Sequence, residues 1–533
     1  KMPKSTPCVF PWSSVWLASL ATLVVQSVLS SSYSSSSSST YQGSAAGGKR
    51  PGFMERTLVL LDVNTRSPIR VLNDNFLSLQ LDPSIIKDGW LDFLSKRLVT
   101  MARGLSPAFL RFGGKRTDFL QFNNQKNLAK FRGPGPDYYL KNYEDIVRSD
   151  IALDKQKGCK LANHPDIMLE LQREKAATTQ LVLLKEQLSN IYSNITITRS
   201  LDKLYNFADC AGLHLILGLN ALHRNPDNSW NTSSTLSLLK YSAGKKYNIS
   251  WELGNPNAYR SMVGRAVNST QLAQDYAKLR TLLQSVRYYH RAHLYGPNAG
   301  RPRKNAILLL DVVNTHTPGK KVWLGGLGPA WAGGISNLSD TYAAGFWVNT
   351  LGMAAMQGID VVLRHSFFDY GYTHLVDQHF NPLPDYWFSL VFKRLVGPRV
   401  LAVRVAGLQR RPQPGRVIRD KLRIYAHCTS YYHNYVRGSI TIYIINLHRS
   451  RKKIKLAGTL RNKTVHQYLL QPYGTDGLRA HVQLNGERLL MSDNETFPEL
   501  KPKTLRAGRT IAMPPMTIGF YVIKNINAYA CRR

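Results

Sequence analysis

"ISWELGNPNAYR", residues 249–260, reads as the end of a buried strand running into a loop, with Asn255 at the point where the strand stops and Pro256 beyond it. Short apolar segments of the same kind recur on both sides: "FLSLQLD" (76–82), "PAFLRFGG" (107–114), "LHLILGLNAL" (213–222), "AHLYGPN" (292–298), "KVWLGG" (321–326) and "IDVVLRHSFF" (359–368). Amphipathic stretches such as "SLDKLYNFADCAG" (200–212) and "STQLAQDYAKLRTLLQSV" (269–286) lie between several of them. Strands alternating with helices predict a parallel α/β barrel of the TIM type over 76–397. A closed (β/α)₈ barrel needs one strand more than these. The shortfall sits between Gly300 and Lys320, where "RPRKNAILLLDVVNTHTPG" holds a helix and a turn but not a further βα unit.

After about residue 398 the texture changes. "KLRIYAHCT" (421–429), "GSITIYIINLH" (438–448), "KTVHQYLLQP" (463–472) and "MTIGFYVIKNI" (516–526) are β-branched and aromatic, with turn residues between them. They predict an antiparallel β-sandwich over 398–533. "RTLVLLDV" (56–63) is expected to add a strand to it, so that 56–75 ties the N-terminal side to the C-terminal domain.

The 533 residues carry 70 Lys+Arg against 33 Asp+Glu, a formal +37, which favours a polyanionic partner. Compartment narrows that class. Residues 1–30, with the apolar run Val15–Leu29 after Lys4, match a secretory signal peptide; a membrane anchor is the alternative, for which the run is short. A Ser-rich spacer occupies 31–55. Asn-X-Ser/Thr acceptors stand at Asn194, Asn231, Asn248, Asn268, Asn337, Asn462 and Asn494. Without Cys8, four cysteines remain, which allow three pairings. Cys159 with Cys210 and Cys428 with Cys531 keep each bridge inside one domain. Secretion places sulfated glycans ahead of nucleic acid.

In a parallel barrel the chemistry sits at the C-terminal ends of the strands, and glycoside hydrolysis there takes two carboxyl groups. At this point the sequence resembles the heparanases, endo-β-glucuronidases of glycoside hydrolase family 79, and within them the non-hydrolytic branch. The stretches that carry the resemblance are "ARGLSPAFLRFGGKRTDFLQF" (102–122), "YNISWELGN", "LYGPNAGRPRK", "NTHTPGKKVWLG", "NPLPDYW" and "LQPYGTDGL", with "GPDYYLKNYEDIVRSDIALDKQKGCK" (135–160) and "VRGSITIYIINLHRSRKKIKLAGTL" (436–460) closest to the non-hydrolytic branch. The resemblance implies a barrel plus β-sandwich, heparan sulfate as ligand and no cofactor. Active members read Asn-Glu-Pro where this chain reads Asn255-Pro256, so the acid/base is missing after Asn255. Gly326 in "VWLGGLG" occupies the nucleophile position. Glu252 is the nearest remaining carboxylate, one strand step deeper. The resemblance also places Asp82, Asn255, His365, Tyr372, Arg301, Arg303 and Lys304 around the substrate cleft, with His365 standing where active members have Gln.

A second basic cluster, "HRSRKKIK" (448–455), offers Arg449, Arg451, Lys452, Lys453 and Lys455 to a heparan chain. Lys245, Lys246, Lys320, Lys321, Arg410, Arg411, Arg416, Arg419, Lys421 and Arg423 extend the cationic character. The histidines show no metal-ligand spacing, and "GLGPAWAGG" lacks the Lys and Ser/Thr of a phosphate loop. The expectation is a secreted glycoprotein of matrix and cell surface that binds heparan sulfate proteoglycans and heparin without cleaving them, stays peripheral to the membrane, and restrains active heparanase or engages a cell-surface receptor. Two alternatives stay open: an active endo-β-glucuronidase whose sequence here is incomplete, and a scaffold for protein partners.

Overall fold

The computed structural model describes residues 58–86, 93, 95–122, 151–154, 159–162, 179–186, 188–189, 191–197, 199–255, 267–298, 306–329, 338–368, 374–406, 421–431, 435–493 and 495–532. The signal-peptide and spacer expectations, and the clusters at 301–304 and 410–419, lie outside them.

Seven parallel strands form one sheet in the order Leu294–Tyr295, Ser250–Leu253, Leu213–Leu219, Ala108–Phe112, Leu77–Leu81, Val361–His365 and Trp323–Leu327. Six fall inside the segments that the sequence marks as strands, and Trp323–Leu327 runs one residue past its segment. The central ones are buried almost along their whole length, with His214 half-buried, as parallel strands covered on both faces must be. Among the described residues no eighth strand joins Leu294–Tyr295 to Trp323–Leu327, and the helix Ala306–His316 lies between them in sequence.

The crossover helices start and stop on local signals. Ser95 accepts a hydrogen bond from Leu98 N and caps Lys96–Gly104, Asn268 does the same from Gln271 N for Ser269–Ser285, and Pro384 opens Pro384–Leu395. Gly358 ends Val348–Gln357 in the left-handed conformation, φ +90°.

Besides two small two-stranded sheets, Leu120–Phe122 with Ile195–Ile197 and Ile151–Asp154 with Cys159–Ala162, the described chain forms two further large sheets. One has nine strands, all antiparallel, built around Leu422–Thr429, Ile440–Asn446, Thr517–Ile523 and Val465–Tyr473. The other has four: Val403–Ala406, Leu58–Val63, Lys452–Leu456 and Ile511–Met513. Leu58–Val63 runs parallel to Lys452–Leu456 and antiparallel to Val403–Ala406, which stitches the N-terminal side of the described chain into this sheet.

Period two explains why Ile440–Asn446 is buried throughout. Ile440, Ile442 and Ile444 share a core with Val59, Leu61, Ile454 and Met513 of the four-stranded sheet, while Tyr443 and Ile445 join the core that contains the barrel strands. The nine-stranded sheet is thus a wall between two apolar layers. A disulfide joins Cys428 to Cys531 at its edge. Cys210 is also disulfide-bonded, and the side chain of Cys159, its expected partner, lies outside the described residues.

Candidate active site at the strand ends

Three polar side chains, Arg111, Glu252 and Gln80, form one network beneath the strand ends. Arg111, in the middle of the buried strand Ala108–Phe112, donates from Nε to Glu252 Oε2 at 2.6 Å and from Nη2 to Glu252 Oε1 at 2.8 Å. Its Nη1 reaches Gln80 Oε1 at 3.0 Å, and Gln80 Nε2 donates to the Gly113 carbonyl at 3.0 Å. Burial works against the Arg111 charge, but Glu252 more than offsets it, and the guanidinium is held above its ordinary value. Both oxygens of Glu252 are therefore committed to one cation. The pair is buried and bidentate, which makes Glu252 the counter-ion that holds Arg111 inside the strand layer.

Asp118 lies just past the end of the strand Ala108–Phe112 and is buried. Its Oδ2 accepts from Asn255 N at 2.8 Å and its Oδ1 from Ala221 N at 2.9 Å, so one carboxyl group ties together the ends of two neighbouring strands. Burial pushes it up to about 7, against the pull of those two N–H groups. Asn255 is 6% exposed, and its Oδ1 has no hydrogen-bond partner among the described residues.

Asp82 lies one strand over. It accepts from Arg116 Nη1 at 3.2 Å and from Ser84 N at 3.0 Å, and Arg116 turns its Nε to Glu186 at 3.2 Å. Gly114, φ +149°, permits this approach, because a Cβ there would stand 2.7 Å from Asp82 Oδ2. Gly326, which the family resemblance sets at the nucleophile position, has φ +69°, and a Cβ on it would meet nothing closer than Gln80 Oε1 at 3.5 Å. There is room for a side chain above Gln80 and Arg111. The backbone, however, has taken a conformation that disfavours any residue but glycine.

His365 ends the strand paired with Leu77–Leu81, in register with Gln80, and is half-buried. Asp82, Asn255, Gly326 and His365 are thus brought to the same end of one sheet, while Tyr372, Arg301, Arg303 and Lys304 lie outside the described residues. Arg111, Gln80, Arg116 and Asp118 were not singled out in the sequence. The signal was present: an arginine inside the apolar run "PAFLRFGG" has to find a buried anion.

The basic cluster at 448–455 needs a correction. In Lys452–Leu456 burial alternates strictly, so Lys453 and Lys455 point outward while Lys452, at 4% exposure, is turned inward with Ile454 and Leu456. Lys452 is withdrawn from the heparan-facing set; Arg449 and Arg451 remain exposed. Lys320 and Lys321 line a cavity of about 490 Å³ with Arg70 and Asp311, beside the entry end of Trp323–Leu327 and so opposite Gly326. Lys245 pairs with Asp202 at 3.6 Å, Lys246 and Lys421 are exposed, and Arg423 is half-buried. Of the glycosylation acceptors, Asn194, Asn248, Asn268 and Asn462 are exposed and Asn231 is half-buried; Asn337 and Asn494 lie outside the described residues. Among the described residues no helix is long and apolar enough to cross a membrane, and no cluster of His, Cys, Asp or Glu could hold a metal ion.

The family profile "Glycosyl hydrolase family 79, N-terminal domain" matches residues 153–299. The sequence is 68% identical over 552 residues to "Inactive heparanase-2" of Homo sapiens, covering 92% of this chain and 93% of that one. This chain belongs to the heparanase family. As a heparanase-family protein it is also 41% identical over 530 residues to "Heparanase" of Mus musculus, covering 89% of this chain and 94% of that one. A solved structure, that of a 4-O-alpha-L-rhamnosyl-beta-D-glucuronidase from Fusarium oxysporum, covers 87% of this chain and all of its own at a TM-score of 0.51 and 13% identity, which shows a shared glycosidase fold.

Proposed function

We propose that this heparanase-family chain is a secreted glycoprotein that holds heparan sulfate without cutting it, and that it restrains active heparanase by occupying the same polysaccharide at the cell surface and in matrix. The observation that carries the reading is the state of the carboxylates at the strand ends. Glu252 is committed to Arg111, Asp82 to Arg116, and Asp118 to two backbone N–H groups, while the nucleophile position is Gly326. Among the described residues, no free pair of acidic groups is left at the strand ends to flank a glycosidic bond. The name of the human relative, "Inactive heparanase-2", supports the same conclusion. The +37 charge supports a polyanionic ligand, with the cleft, the 301–304 cluster and the outward residues of 449–455 as its contacts.

The reading includes a barrel short of one βα unit beside a C-terminal β-sandwich. The human match spans 552 positions while using 92% of 533 residues, about 490, so about 60 of its positions have no counterpart here. That is enough for one such unit. The same gap favours a second reading, an active endo-β-glucuronidase of which this sequence is an incomplete copy; Gly326, inside an ungapped motif, speaks against it. Size analysis of heparan sulfate after prolonged incubation tests the proposal, with unchanged chain length expected and retention on a heparin column well above physiological salt. Shortened chains would overturn it.

A further inference from the structure

Away from the barrel, a cavity of about 100 Å³ opens beside the four-stranded sheet, lined by Lys455, Arg461, Asn462, Lys463, Gly508 and Arg509 among others. The topology gathers these cations from three places in the sequence. Lys455 points outward near the end of Lys452–Leu456. The chain then turns through Gly458–Leu460 and reverses at Asn462, φ +56°, so that Arg461 and Lys463 flank the turn. Ile511–Met513 pairs antiparallel with Lys452–Leu456, Ile454 opposite Ile511, and continuing that register by two residues brings Arg509 opposite Leu456. Lys463 Nζ is steadied by the Asn525 carbonyl at 3.0 Å. The lining holds four cations and no carboxylate; Asp62, which packs against Gly458, is not part of it.

A concave site with four positive charges and room for one small group fits a tetrahedral oxyanion, because Arg and Lys donors surround sulfate oxygens from several sides. Lys455 and Lys453 continue the positive row outward along the same strand, so the oxyanion belongs to an extended chain rather than to a free ion. Asn462 is also the acceptor of the sequon Asn462-Lys463-Thr464, is exposed, and lies in the cavity wall, where a Cβ on Gly508 would stand 3.1 Å from its Oδ1.

We propose that this cavity binds one sulfate group of a sulfated polysaccharide, and that an N-linked glycan on Asn462 closes it. Glycan occupancy then sets how many contacts the protein makes with the polysaccharide. The inference rests on the heparan-binding reading above and adds to it a second, regulated site on a different domain.

The test uses the full chain from a glycosylating host and a size-fractionated heparin oligosaccharide, with a desulfated oligosaccharide as control. Thr464→Ala removes the acceptor while leaving Asn462, which tolerates the left-handed turn, in place. Glycopeptide mass spectrometry is expected to find Asn462 occupied in the wild type, and T464A to bind the sulfated oligosaccharide several-fold more tightly. Adding Arg461→Ala and Arg509→Ala to T464A is expected to weaken binding about tenfold and to flatten its dependence on log salt by about 1–2. In the glycosylated wild type the same pair of substitutions is expected to change nothing. An unoccupied Asn462, an unchanged affinity in T464A, equal binding of the desulfated oligosaccharide, or no effect of the two arginines in the T464A background would each overturn the inference. Binding that instead depends only on Arg301, Arg303 and Lys304 sinks this site and leaves the proposed function standing; failure of every form to bind heparin sinks that function.

Discussion

Glu252→Gln separates a scaffold role from a chemical one. Glu252 and Arg111 meet through two hydrogen bonds of 2.6 and 2.8 Å, and their side chains are only 8% and 7% exposed. Glutamine keeps the shape and removes the charge. It leaves a buried guanidinium facing only neutral amide oxygens, those of Gln80 and of the new glutamine, with no counter-charge, so the barrel should lose about 3–5 kcal/mol. A pair of apolar replacements, Arg111→Met with Glu252→Leu, removes both charges and should recover most of that loss, because apolar packing often matches a buried ion pair in stability. Urea unfolding followed by tryptophan fluorescence is suited to the comparison, since fully buried Trp251 adjoins Glu252 in the same strand. Heparan sulfate chain length is measured on the same samples and should be identical for all of them. The reasoning fails if E252Q costs less than about 1 kcal/mol, or if the wild type shortens heparan sulfate and E252Q abolishes it.

Asp118 supplies a pH-dependent counterpart. Its folded value near 7 lies above the ordinary carboxylate value of 3.8, so the folded state holds the proton more tightly; this contribution is fully present below about pH 4 and is lost as pH rises through 7, by up to about 4 kcal/mol. Asp118→Asn should therefore make unfolding midpoints less sensitive to pH between 4.5 and 8 than the wild type's, and an unaltered difference would count against the assignment. Gly326→Glu places a carboxylate at the nucleophile position on a backbone at φ +69°, which should cost about 1–2 kcal/mol in thermal unfolding and restore no cleavage, since the acid is still missing. Cys428→Ser opens a bridge spanning 103 residues and should lower stability by about 2–5 kcal/mol under non-reducing conditions only. Lys453→Ala with Lys455→Ala should lower the salt needed to elute the protein from heparin, whereas Lys452→Ala should leave elution unchanged and cost stability instead.

The barrel strands were legible because parallel strands buried on both faces are written as largely apolar runs. "VVL" at 361–363 and "LILGL" at 215–219 announce themselves that way. The small strands Lys503–Leu505 and Ile511–Met513 did not, because three residues carry no usable period and their pairing is set by partners far away in the chain. The error at Lys452 has the same origin: "RKKIK" looks like a solvated charge run until register with Ile511–Met513 fixes which side chains face inward.

The positions that the family resemblance gives to the acid and the nucleophile read in this sequence as Asn255-Pro256 and Gly326. What the sequence concealed is how, under the proposed function, such a site would keep its shape without its chemistry. The charged groups beneath the strand ends are of two kinds. Arg111, Glu252 and Asp118 hold neighbouring strands to one another, and removing any of them leaves a buried partner unsatisfied, so they are retained by stability. A catalytic carboxylate has to remain unpaired and aimed at substrate, which contributes nothing to the folded state and commonly weakens it. Under the proposed function, loss of the second kind would place no strain on the first, and the strand-end arrangement of Arg111, Glu252 and Asp118 would persist without hydrolysis.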